Sequence, residues 1–69
     1  NSITDAGVAG ESLIAGARGA FLNVKINLKD IDDNSFIQDL TTRGNLLISS
    51  GEKVLSQIRL HVESVLNQD

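Results

Sequence analysis

The chain has 69 residues, 41% of them hydrophobic and 22% charged, with a formal net charge of −3. That balance suits a folded chain and not a disordered one, and its six scattered Lys and Arg residues form no basic stripe able to track a phosphate backbone. There is no Cys, so neither a disulfide nor a thiolate metal site can form, and the one histidine, His61, does not make a zinc centre of ordinary ligand type.

No apolar window reaches the roughly 18 residues a membrane span needs. Glu11 and Arg18 interrupt the small, apolar stretch 6–24, and no basic segment precedes it to make a signal peptide. The absence of Pro fits long unbroken helices. There is also no Met, even at position 1, so the chain reads as a segment of a larger protein. The expected fold class is all-α: two long antiparallel helices, over about 4–29 and 33–67, from a helical bundle completed by oligomerisation or further chain.

In the first helix, Ser2 or Thr4 is the expected cap, and Asp5 places an anion at the favourable end of the dipole. Lys25 and Lys29 stand at the other end, where cations are favoured. Leu13, Ala17, Ala20, Val24, Leu28 and Ile31 recur at steps of three and four, which is a helical stripe. Gly7, Gly10, Gly16 and Gly19 each weaken such a helix by up to about 1 kcal/mol against Ala. Pairs such as Ala6/Gly10, Ala15/Gly19 and Gly16/Ala20 make small ridges that suit either close helix packing or clearance for a flat ligand.

The acidic turn at 30–34 reads as a corner. Asp32 is the expected N-cap of the second helix, with Ile31 and Phe36 as a hydrophobic staple. A calcium loop is disfavoured, because neither the glycine nor the distal glutamate of an EF-hand stands at the required spacing.

Along the second helix, Ile37, Leu40, Gly44, Leu47, Gly51, Val54, Ile58, His61 and Val65 alternate steps of three and four as a heptad seam. Phe36, Ile48, Leu55, Val62 and Leu66 widen it beyond a two-stranded stripe, as in a helix touching more than one neighbour. A lone hairpin would leave much of this surface wet, so more chain, another copy or both should cover it.

Candidate chemistry is sparse. His61 is a seam histidine or a general base, a role that needs a second polar partner beside it. Asn23 and Asn27 share a helix face, where mid-helix Asn is mildly unfavourable; they suit an interhelical hydrogen-bond network or recognition of a polar ring. Asp5 is first-turn charge or a site carboxylate. No phosphate loop, nucleophile elbow or dinucleotide fingerprint is present.

The block GAFLNVKINLKDIDDNSF resembles the C-terminal stretch of the formiminotetrahydrofolate cyclodeaminase and methenyltetrahydrofolate cyclohydrolase family. The matching residues are Gly19, Ala20, Asn23, Val24, Ile26, Asn27, Leu28, Lys29, Asp30, Ile31, Asp33 and Phe36. Upstream, Thr4, Asp5, Val8 and Ala9 resemble a second family pattern. The resemblance implies an all-α, dimeric, cytoplasmic enzyme of one-carbon folates that releases ammonia from a formimino adduct or hydrolyses a methenyl bridge. It implies a folate substrate with no separate cofactor, and composition and charge point to no metal, membrane or nucleic-acid partner. It places the family's catalytic Asp upstream of these residues, so no catalytic residue is assigned here. Asp5, Asn23 and Asn27 match family positions and become candidate substrate-binding residues that shape the folate pocket or, alternatively, the dimer contact, in a C-terminal helical hairpin expected to be inactive alone. The competing expectation is a non-catalytic hairpin that serves only oligomerisation.

Overall fold

Two helices, α1 (Ser2–Leu28) and α2 (Asn34–Leu66), make up nearly all of residues 2–68, which the computed structural model describes. They pack antiparallel into a rod of 58 × 15 × 12 Å. Its radius of gyration is 16.2 Å, against about 11 Å for a compact chain of this length. Its accessible surface, 5336 Å², exceeds the roughly 4,200 Å² of a compact protein of equal mass. The all-α hairpin read from the sequence is therefore the fold, and much of its surface is uncovered.

Helix ends differ from the expected ones in detail. Ser2 and Thr4 both lie inside α1, and the position before it, Asn1, lies outside the described residues. Past Leu28 the chain tightens into three successive i→i+3 bonds, in which the N–H groups of Lys29, Asp30 and Ile31 donate to the carbonyls of Ile26, Asn27 and Leu28 at 3.3, 3.4 and 3.1 Å. Asp33, and not Asp32, caps α2. Its backbone is extended, and its carboxylate accepts from the Phe36 N–H at 3.1 Å. That shift of one residue removes the staple geometry, because the position before the cap is now Asp32 and the partner position is Ile37. Ile31 and Phe36 are accordingly both exposed. Asp33→Ala should lower helix stability by about 1 kcal/mol, and Asp32→Ala by much less; thermal unfolding followed by circular dichroism distinguishes the two.

The seam is built on glycines. A Cβ on Gly7 would stand 3.1 Å from Val62 Cγ2, and one on Gly10 would stand 3.1 Å from Leu55 Cδ1 and 3.5 Å from Ile58 Cδ1. In the other direction, Ile14 Cδ1 lies 2.8 Å from the Cβ position of Gly51, and the Phe21 ring occupies the Cβ position of Gly44. Large side chains of each helix thus fill gaps on the other, which brings the backbones together and compensates the low helix propensity of these four glycines. Gly16 and Gly19 have nothing within 4 Å of a built Cβ. They belong to a different face.

The buried side chains are Leu28 at the elbow, 5% exposed, and Leu55 midway along α2, 4% exposed. The seam also takes in Ile3, Ile14 and Phe21 from α1, and Ile37, Leu40, Ile48, Ile58, Val62 and Val65 from α2. Part of the sequence reading was therefore displaced by one position. Leu13, at 72% exposed, and Leu47, at 74%, point away from the seam. Ala17, Ala20, Val24, Val54 and His61 are exposed as well.

Candidate functional site

With the glycine seam fixed, helical periodicity of about 3.6 residues per turn assigns the remaining faces. The three candidate binding residues fall on the outward side of α1, away from α2, together with Ser12, Gly16 and Gly19. Asp5, Asn23 and Asn27 are all exposed. Among the described residues neither asparagine amide has a hydrogen-bond partner, so the hairpin itself supplies no interhelical network for them.

Asn23 and Asn27 stand one turn apart, about 6 Å along the axis. Each amide carries two donors and an acceptor, so the pair can present several hydrogen-bonding groups to one planar ligand edge. Asp5 lies 18 residues upstream of Asn23, about 27 Å along the same helix. It shares their face but cannot touch the same ring. His61 is exposed near the far end of α2, not enclosed in a seam.

The hairpin also assembles a charge ladder that was not expected. Arg59 grips Glu11 with both ends of its guanidinium, Nε to Oε2 at 2.7 Å and Nη2 to Oε1 at 2.6 Å. One rung further, Arg18 pairs with Glu52. These residues border a cleft of about 280 Å³ floored by Ile14 and Leu55. A bidentate hydrogen bond from Arg59, opposed by some desolvation, holds the Glu11 carboxyl below the usual carboxylate range; the same bond holds Arg59 above its usual range. A carboxylate so held is a poor proton donor near neutral pH. The ladder instead bridges the two antiparallel helices along one flank. One sequence signal could have found it: Glu11 and Arg18 are seven apart, as are Glu52 and Arg59, the spacing of charges beside a heptad seam.

Near the elbow the Lys25 ammonium sits 4.8 Å from the centre of the Phe21 ring, a cation–π contact. Among the described residues no helix is long and apolar enough to cross a membrane.

Fold and site together define a helical-hairpin module that offers a bare asparagine face and, among the described residues, no assembled acid–base pair. Residues 1–45 match the family model described as formiminotransferase-cyclodeaminase. Across 67 residues, 97% of its length, the chain is 37% identical to the methenyltetrahydrofolate cyclohydrolase of Methylorubrum extorquens, and the aligned region covers 32% of that protein. The chain belongs to the formiminotransferase-cyclodeaminase family. It spans about a third of the length of the curated relative it matches. No solved structure matches it.

Proposed function

We propose that this hairpin is the C-terminal part of a larger all-α enzyme of one-carbon folates. In that enzyme its outward α1 face serves the substrate, a formimino- or methenyltetrahydrofolate. The observation that carries this reading is the bare pair Asn23 and Asn27. Two exposed mid-helix amides, one turn apart and without a partner in the hairpin, sit in the NVKINLKDI block inside the family match. Amide edges suit the alternating donors and acceptors of a pterin-type ring. Gly16 and Gly19, open on the same face, let a flat ring approach the helix backbone closely.

In this reading the asparagines bind and orient the ring, and Asp5 borders the distal end of the same face. The proton transfers of ring closure or bridge hydrolysis need a group poised to titrate near working pH. By resemblance to the family, that group is proposed to lie outside these 69 residues, and no cofactor besides the folate is invoked. The hairpin alone is then inactive.

The test is steady-state kinetics on the complete gene product with methenyltetrahydrofolate, following loss of the bridge absorbance. Asn27→Leu should raise KM or lower kcat/KM at least tenfold, on the order of 1.4 kcal/mol, while leaving the helical signal unchanged. Kinetics unaltered by both Asn23→Leu and Asn27→Leu would remove this face from the site. Ammonia release from the formimino substrate, measured in parallel, separates the two reactions.

A further inference from the structure

The charge ladder stops one rung short. On α1 its positions run Glu11, Arg18, Lys25 at steps of seven, and on α2 they run Arg59, Glu52, Asn45. The first two rungs join opposite charges, Glu11 with Arg59 and Arg18 with Glu52. The same antiparallel register sets Lys25 level with Asn45, whose amide brings no charge. Lys29 follows four residues on. Among the described residues neither ammonium has a carboxylate partner, although Asp30, Asp32 and Asp33 stand in the adjoining turn. Asp33 is committed to the cap of α2. The two lysines border a cleft of about 260 Å³ at the elbow, whose other walls are Leu28, Ile37 and Thr41. Leu28 is buried, and Ile37 and Thr41 are half-buried. The floor is therefore apolar, with one hydroxyl at its side.

We propose that this elbow cleft binds a small organic carboxylate, which takes the place of the acid missing from the third rung. Three observations select that chemistry. Charge comes first: two unpaired cations about one turn apart attract an anion, whereas in the cleft between Glu11 and Arg59 both arginines are already neutralised. The Phe21 ring, 4.8 Å from the Lys25 ammonium, restrains that charge beside the seam. The floor comes second. Leu28 and Ile37 offer contact to a hydrocarbon body but nothing to a fully hydrated inorganic ion. Thr41 can donate its hydroxyl to a carboxylate oxygen. Size comes third: the cleft falls just below the roughly 300–1,000 Å³ of sites for drug-sized ligands, so the body is about one ring. The proposal does not rest on the folate reading. With Gly10, Ile14 and Phe21 facing α2, Lys25 falls on the ladder flank of α1 and Asn23 and Asn27 on its outward side, so one ring cannot occupy both places.

Benzoate titrated into the ¹⁵N-labelled full chain tests this. The backbone signals of Lys25, Lys29 and Thr41 should shift together and saturate, and inorganic phosphate should bind about fivefold more weakly. Lys25→Gln should weaken benzoate binding about fivefold, the worth of one exposed ion pair. Asn45→Glu, which supplies the missing carboxylate from within the chain, should weaken it by a similar factor. Lys53→Gln, at an exposed lysine away from the cleft, should leave the affinity unchanged. Lys25, Asn45 and Lys53 are all exposed, so the variants keep the hairpin, and circular dichroism verifies this. Benzoate that produces no saturable shifts at the elbow would overturn the proposal. So would phosphate binding as tightly as benzoate, or an affinity unchanged in either Lys25→Gln or Asn45→Glu.

Discussion

Gly44→Leu should destabilise the hairpin by about 2–3 kcal/mol, whereas the same substitution at Gly16 should stabilise it by up to about 1 kcal/mol. Both changes replace a mid-helix glycine with a strong helix former, so the local propensity gain is equal. What differs is the space. The Phe21 ring fills the Cβ position of Gly44, while nothing lies within 4 Å of that position at Gly16. A side chain at 44 has to push the ring out, separating the helices next to the Lys25 contact. The opposite signs appear directly in urea or thermal denaturation followed at the helical band. Equal effects at both sites would mean that Phe21 does not pack on Gly44.

The second large effect belongs to Leu55. It is 4% exposed, and its Cδ1 reaches into the gap at Gly10. Leu55→Ala leaves a cavity that two helices cannot easily collapse, at a cost of about 2–4 kcal/mol. A core this small rarely supplies more than about 3–5 kcal/mol in total, so the variant should lose its cooperative transition. Val54→Ala, one residue away and exposed, should change stability by less than about 0.5 kcal/mol. The contrast is sharp because heptad spacing alone does not distinguish Val54 from Leu55 as the seam residue.

That contrast marks where the sequence was legible. Periodicity of three and four, the acidic corner and the absence of Pro give two long helices and their antiparallel pairing. Gly44 and Gly51 were legible as seam positions. The choice of face was not. Leu47, Val54 and His61 follow a heptad rhythm as well as Ile48, Leu55 and Val62 do, because α2 has more than one apolar stripe. The difference lies in the partner: the gaps at Gly7 and Gly10 of α1 accept Val62 and Leu55, and a pattern within one helix does not encode that match. The stripe of Leu13 and Val24 was likewise real, but it belongs to the uncovered side. The cap moved from Asp32 to Asp33 for a local reason: three i→i+3 bonds after Leu28 carry the chain further before α2 begins.

The candidate site was legible in part. The NVKINLKDI block singled out Asn23 and Asn27, and the structure sets them one turn apart on an open face. Asp5 was singled out by a separate upstream pattern, and it stands about 27 Å away along the helix. The pairing of Glu11 with Arg59 joins residues 48 apart in the chain and emerges only once the register is fixed.

The most direct test of the functional account is a titration of the ¹⁵N-labelled chain with a methenyl-type reduced folate, read by the side-chain amide signals of asparagine. The account predicts that the Asn23 and Asn27 signals shift together and saturate, while the backbone signals of Gly44 and Gly51 in the seam stay in place. Asparagine signals that do not move at saturating folate, or shifts confined to the cleft between Glu11 and Arg59, would contradict it.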